Sequence, residues 1–260
     1  MIITSATNDR IKEVKKLVKS ASYRRDKGLY VVEGIRMFRE LPVKDIDSVF
    51  VSQGAYEKLK EDILKLVSED EVIIVADHVF SSMSDTNTPQ GVMALVKMRY
   101  TKLRDVISDN AFVLIAERLQ DPGNLGTIIR TAEGAGATGI ILSSDCVDMY
   151  NPKVIRSTMG SVFRVPIYIS ENLEEDIDQL KSQGVCIFGA HLDGKEFYDE
   201  NFEGSCGFLI GNEGNGLSHA VSSKADKLIR IPMCGKVESL NAATSVAVIS
   251  YEVLRQRRNM

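Results

Sequence analysis

The sequence predicts an α/β protein made of two α/β units in tandem, the second built on a mainly parallel sheet. Three observations carry this. Short apolar runs alternate with amphipathic stretches along the chain. One run, AFVLIA (111–116), is apolar throughout, as expected of a strand buried on both faces. Glycine-bearing loops follow directly after such runs, where open sheets place ligand crevices. The chain has 260 residues, enough for one large domain or two ordinary ones. The expected division is an N-terminal unit over 1–98, a linker over 99–109 and a second unit over 110–260.

In the first unit, Asn8 to Ser20 reads as an amphipathic helix, with Ile11, Val14, Leu17 and Val18 in one stripe. Tyr23 to Gly28 reads as a polar turn. LYVVEG is a strand ending at Gly34, followed by a helix through Met37, Phe38 and Leu41 that stops at Pro42. Val49 to Val51 is a strand, Tyr56 to Val67 a helix and Val72 to Val75 a strand. Asp77 to Met83 is a short helix capped by Asp77. Thr86 to Pro89 is a loop and GVMALVKM the last strand. Arg99 to Asn110 is polar and weakly patterned, hence the linker.

The second unit opens with AFVLIAE, then the loop RLQDPGN and the helix LGTIIRTAEGAG. GIILS is a strand. Asn151 to Met159 is a helix with Pro152 in its first turn. VPIYI and VCIFGA are strands separated by a helix over Leu173 to Ser182. GFLIG runs into the loop NEGNGLS, and a short helix near His219 to Ser223 leads to LIRIPM. The last helix starts at Asn241, a residue suited to capping. Before it, the loop holding Gly235 offers backbone N–H groups to a polar or anionic ligand group. Read locally, the stretch Ile231 to Glu252 is first of all a last strand and helix closing an α/β domain.

No apolar run approaches the ~20 residues of a membrane span. MIITSATNDR lacks the form of a signal peptide, so a cytoplasmic protein is expected. Cys146, Cys186, Cys206 and Cys234 are far apart and form no C-x-x-C pair, which signals buried thiols rather than a zinc site or a disulfide framework. The three histidines are scattered, and no metal is expected. Net charge is −4, but the first 27 residues hold eight basic and three acidic side chains, a local excess of +5. Such a patch binds phosphates even on an acidic protein, or is simply a solvated helix face.

Gly134-Ala-Gly136-Ala-Thr-Gly139 spells G-x-G-x-x-G. A dinucleotide fingerprint follows a strand and opens a helix, whereas these glycines end a helix and precede a strand. Gly136 reads as a helix C-terminal residue. A nicotinamide-dependent oxidoreductase is thereby disfavoured, and no P-loop sequence occurs. DPGNLG and GNEGNG remain as loops after apolar strands; each alone is a tight turn or a site.

At these loops the chain resembles a known family. DPGNLGTIIRTAEGAG, GNEGNGLS and IPMCGKVESLNAATSVAVISYE resemble the three motifs of the SpoU (TrmH-like) family of RNA ribose 2′-O-methyltransferases. NPKVIRSTMGSVFRVPI resembles the segment between the first two motifs, and the likeness covers 112–255. YVVEGIRMFREL and TPQGVMALV are similar, more loosely, to the family's RNA-binding accessory domain. The resemblance implies a SPOUT α/β knot, with a C-terminal trefoil knot and a smaller N-terminal α/β RNA-binding domain. It implies S-adenosylmethionine as methyl donor and a homodimer. Asn124 and Arg130 are carried over from motif one, Gly211 and Glu213 from motif two, and Ile231, Ser239, Leu240 and Asn241 from motif three.

In the roles so implied, Gly211, Ile231 and Leu240 line the cofactor pocket, and Ile210 and Met233 suit its apolar walls. Arg130, Asn124, Ser239, Asn241 and Glu213 are the catalytic candidates. Arg130 lies on an apolar helix face and either orients a phosphate bidentately or pairs internally, with Glu213 for instance. It is a poor general base because it stays protonated. Asn124 and Asn241 hold the ribose, or serve as turn residue and helix cap; Ser239 is also readable as an ordinary loop serine. Lys12, Lys15, Lys16, Lys19, Arg24 and Arg25 form the expected RNA track. Large-subunit rRNA is the favoured substrate, tRNA the second. The alternative class is a non-catalytic RNA-binding protein on the same fold.

Overall fold

The computed structural model describes residues 2–258, which form two compact units. The first comprises Met1–Arg99 together with Tyr150–Phe163. Its elements are β1 (Ile2–Ile3), α1 (Asp9–Lys19), α2 (Ala21–Lys27), β2 (Leu29–Glu33), α3 (Ile35–Phe38), β3 (Ile46–Ser52), α4 (Gln53–Leu64), β4 (Val72–Val75), α5 (Asp77–Met83) and β5 (Val92–Lys97). The sheet order is β1-β4-β3-β5-β2. β1, β4 and β3 are parallel neighbours, and β5 runs antiparallel to β3 and β2.

α1 forms because Asn8 caps it, accepting from Arg10 N, and because Ile11, Val14 and Leu17 fall on one face and bury completely. That face packs with Phe50, Val79, Phe80, Met93 and Leu95 into one core. The polar turn expected over Tyr23 to Gly28 is helical instead. Ser20 caps α2 by accepting from Tyr23 N, and Gly28 ends it at φ 64°. β1 had no sequence signal; two residues suffice because β4 supplies the partner strand. The cap of α5 is Ala76, not Asp77, whose carboxylate accepts from Gly54 N at 2.9 Å.

The second unit comprises Tyr100–Met149 and Arg164–Met260. Along the chain come β6 (Phe112–Ala116), α6 (Pro122–Gly134), β7 (Gly139–Ser143), α7 (Pro152–Thr158), β8 (Ile167–Ser170), α8 (Leu173–Ser182), β9 (Cys186–Glu196), β10 (Cys206–Ile210), α9 (His219–Ser222), β11 (Lys227–Arg230) and α10 (Ala242–Arg257). The sheet order is β11-β9-β10-β6-β7-β8, parallel throughout. β6, β7 and β10 are buried at every residue. Alternation along β6 and β10 sends Val113, Ile115 and Leu209 towards α8 and Phe112 and Phe208 into an aromatic cluster with Phe188 and Phe202. α6 and α10 pack on each other.

The residues expected as a linker are not free chain. Leu103 and Val106 are buried in the second unit's core, and a Cβ at Gly139 would overlap Val106. α7, expected within the second unit, belongs to the first. It packs on β2, Tyr150 lies against Tyr30 with the rings tilted and their centroids 4.5 Å apart, and Arg99 Nη1 donates to Phe163 O at 2.7 Å. Of the cysteines expected to be buried, Cys206 is, while Cys234 is exposed. Burial pushes the Cys206 thiol up to about 11, against the opposing pull of Arg257. Among the described residues no helix is long and apolar enough to cross a membrane.

Candidate active site

Three stretches of the second unit meet at the C-terminal ends of β6 and β10 and at the start of α10. Asp121 caps α6, its Oδ1 accepting from Asn124 N at 2.8 Å, and Pro122 fills the first turn, where a missing N–H costs nothing. Asn124 therefore projects from the first turn of α6. Asn241 caps α10, its Oδ1 accepting from Ala243 N at 2.9 Å and Thr244 N at 3.3 Å. The loop after β10 presents Glu213.

Hydrogen bonds join these three residues in one direction. Because Asn241 Oδ1 is taken up by the cap, its Nδ2 faces outward and donates to Asn124 Oδ1 at 3.0 Å. Asn124 Nδ2 then donates to Glu213 Oε1 at 3.1 Å. A carboxylate only accepts, so neither amide is free to flip. Gln120 N and Asp121 N also donate to Glu213, each at 3.1 Å. Burial works against ionisation of Glu213. The hydrogen bonds from Asn124, its own backbone N–H and those of Gln120 and Asp121 outweigh it and hold the carboxyl below the usual carboxylate range. The three residues, with Gln120 and Asp121, line an open concavity of about 670 Å³. Each amide nitrogen keeps a second N–H, so the hollow presents donors, which suit an oxygen gaining negative charge.

Other expected residues lie differently. Arg130 is exposed, not buried, and among the described residues it makes no hydrogen bond or ion pair; the internal pairing with Glu213 does not occur, because Asn124 holds that carboxylate. Ser239 is exposed in the segment before Asn241. Ile231, Met233 and Leu240 are half-buried, whereas Ile210 is only 3 % exposed and sits in the sheet core. Gly211 has a local reason to be glycine: a Cβ there would overlap the Gly216 carbonyl and Leu217 N across the loop. Arg24 is no RNA contact. It is 2 % exposed and its Nη1 donates to Leu17 O at 2.6 Å and Val18 O at 3.1 Å, closing the end of α1.

The sequence did not single out Gln120, which lines the hollow, or Arg118 and Asn212, which tie together the loops behind it. Arg118 adopts φ 53°, rare for a side chain with a Cβ. Ser143 Oγ accepts from its N, and its carbonyl accepts from Gln120 Nε2 and Asn212 Nδ2. The neighbouring Glu117 accepts from Ser218 N at 2.7 Å. No periodicity marks such residues; their role depends on which loops meet.

The chain is similar to known proteins along nearly its whole length. Residues 111–251 match the SpoU rRNA Methylase family, and residues 8–94 match the MRM3-like substrate binding domain. The 23S rRNA (guanosine(2553)-2'-O)-methyltransferase RlmP of Bacillus subtilis is 32% identical over 257 residues, covering 96% of this chain and 98% of that protein. The crystal structure of the SpoU methyltransferase AviRb from Streptomyces viridochromogenes, in complex with AdoMet, superposes with a TM-score of 0.89 at 29% identity, covering 96% of this chain and 98% of that one. An AdoMet-bound rRNA methyltransferase from Sinorhizobium meliloti gives a TM-score of 0.86 at 31% identity, with 98% and 97% covered. The loops that bring Asn124, Glu213 and Asn241 together lie within the residues so matched, and the chain belongs to the SpoU rRNA methylase family.

Proposed function

We propose that this enzyme methylates a ribose 2′-hydroxyl of large-subunit ribosomal RNA, using S-adenosylmethionine and working as a homodimer. The observation that carries the reading is the directional chain Asn241–Asn124–Glu213, which ties the three family motifs into one donor-rich hollow. The donor set fits the cofactor. Ile231, Met233 and Leu240 offer half-buried apolar walls, and among the described residues 232–240 enter no turn, cap or side-chain hydrogen bond, leaving backbone groups for its polar edges. When bound, S-adenosylmethionine supplies an already activated methyl group.

The chain's own task is to align the hydroxyl and steady it as its proton leaves. The spare N–H groups of Asn124 and Asn241 hold the ribose oxygens. Glu213 acts through Asn124, fixing its amide, and is a positioning residue. Arg130, exposed and unspent, grips the phosphate beside the ribose and stabilises the emerging alkoxide; the proton passes to that phosphate or to water. Ser239 borders the same ribose from the segment before Asn241. Lys12, Lys15, Lys16, Lys19 and Arg25 remain the RNA track of the first unit. α10 supports the dimer: Ala242, Ala243 and Ala247 keep it slim, and Tyr251 on it is 54% exposed.

Mapping ribose methylation in RNA from cells with and without this protein tests the substrate. Loss of one mark in large-subunit rRNA is expected; loss of a tRNA mark instead would move the enzyme to the second substrate class. With purified protein, Arg130→Lys is expected to lower turnover at least about tenfold, since bidentate grip is lost, without moving the melting temperature. Near wild-type turnover would remove the phosphate role. Light scattering checks the dimer.

A further inference from the structure

The lysines of α1 are not equivalent. Lys12 Nζ donates to Asp9 at 3.1 Å, and Lys16 Nζ lies 5.4 Å from the Tyr23 ring centroid. Lys15 and Lys19, one turn apart on the adjacent face, make no hydrogen bond or ion pair among the described residues. They stand over a hollow of about 290 Å³ that lies wholly within the first unit. Its apolar lining is Val18 from α1, Met83 from the end of α5 and Pro152 from the start of α7; Met83 is 2 % exposed.

The hollow's polar lining includes Ser82, Ser84 and Asp85, and the last two are held in place. Glu33, 7% exposed on β2, accepts from Ser84 Oγ at 2.5 Å, Thr86 Oγ1 at 2.7 Å and Asp85 N at 3.4 Å. Asp85 Oδ2 accepts from Arg156 Nη2 at 3.0 Å, and Arg156 Nη1 is buried with no hydrogen-bond partner among the described residues. The hollow thus combines apolar lining, two unspent ammonium groups and a carboxylate held by Arg156.

That combination matches one unpaired ribonucleotide. An unstacked base needs an apolar surface and hydrogen-bond partners at its edge, and its phosphate needs cations. We propose that this hollow takes a single unpaired nucleotide of the RNA substrate, other than the one methylated. The base lies on Val18, Met83 and Pro152, Asp85 accepts from its exocyclic or ring N–H, and Lys15 and Lys19 hold its phosphate. The inference rests on RNA being the substrate. It adds that the first unit reads a flipped-out base there rather than only tracking backbone charge.

The test titrates a fluorescein-labelled single-stranded RNA 12-mer, and the same strand annealed to its complement, at several salt concentrations. Lys15→Ala/Lys19→Ala should weaken single-strand binding about tenfold and lower the salt slope by about 0.7, as when one fewer phosphate is neutralised. Duplex binding by this variant should fall less than its single-strand binding, whereas Lys12→Ala/Lys16→Ala, which removes charge from the track alone, should weaken single strand and duplex by similar factors. Ser82→Leu, which fills the hollow from an exposed position, should weaken single-strand binding with the slope unchanged. Calorimetry with S-adenosylmethionine should be unaltered in every variant. A loss from Lys15→Ala/Lys19→Ala that is equal on duplex and single strand, a loss from Lys12→Ala/Lys16→Ala confined to the single strand, or no loss in Ser82→Leu would each overturn the nucleotide site while leaving the enzyme an RNA binder. If the wild-type protein binds S-adenosylmethionine but no RNA, the substrate reading falls together with the site.

Discussion

The loop after β10 and the segment after β11 each leave a parallel strand and carry glycine, and they bring Glu213 and Asn241 to the same hollow, yet they are built in opposite ways. The first closes on itself. Asn212 and Gly216 exchange both backbone hydrogen bonds, at 3.0 and 2.9 Å, and Asn212 Oδ1 accepts from Gly214 N and Asn215 N. The second, 232–240, spends nothing internally among the described residues until Asn241 caps α10. A loop that has satisfied its own backbone can hold a carboxylate in place. A segment that has not can offer its N–H and C=O groups to a ligand, at the expense of local stability. One wall is a frame and the other a surface.

Substituting the frame glycine has the largest expected effect. Gly211→Ala places a methyl group on the Gly216 carbonyl and Leu217 N, backbone that cannot step aside. A loss of about 3 kcal/mol is expected, seen as a melting temperature lower by roughly 6–12 °C. A variant melting within about 1 °C of wild type would show that the loop is not the frame described.

Asn241 joins frame and surface, and two substitutions separate its tasks. Asn241→Ala loses the cap, about 1 kcal/mol, together with the link to Asn124. Asn241→Asp keeps the cap but opposes an acceptor to Asn124 Oδ1. Both should lower turnover by about 100-fold, an amount of the order of losing one aligned donor, while only the alanine variant melts lower. Full activity in Asn241→Asp would remove the donor role.

Glu213 gives the frame a pH dependence. Its folded-state carboxyl is held below the ordinary range, so the stability it contributes is present above its unfolded pKa and is lost as pH falls through the lowered folded value. The difference in melting temperature between wild type and Glu213→Gln should therefore be steady near neutrality and shrink on acidification below the usual carboxylate range. A difference that grew in acid would have the wrong sign. The smallest effect belongs to the surface segment. No atom lies within 4 Å of a Cβ at Gly235, and its φ is not positive. Gly235→Ala should leave the fold intact, stabilising it by at most about 1 kcal/mol through the unfolded chain. A drop in melting temperature like that of Gly211→Ala would erase the contrast.

Much of the second unit was legible residue by residue. Leu173–Ser182 is helical as the pattern predicts, and Asn241 caps α10. Gly136, with φ 77°, follows the end of α6 as expected of a helix terminus and not of a dinucleotide loop. These features are local: capping, turn chemistry and apolar periodicity act within a few residues. Arg24 shows where local reading stops. Its neighbours are polar, so it looks like an exposed cation, yet the end of α1 offers it two carbonyls and encloses it.

The order and type of most elements, the parallel second sheet and, through three motifs, the family can all be read from the amino-acid string. Which side chains share a site cannot; that follows from the folded arrangement. Asn124 meets Glu213 across 89 positions and Asn241 across 117. Folding also moves Tyr150–Phe163 into the first unit, frees Arg130 from Glu213 and sets Lys15 and Lys19 over a hollow. The reason is physical: periodicity and capping are written in neighbouring residues, whereas a hydrogen bond between distant loops depends on how strands order in a sheet and where each chain segment then emerges.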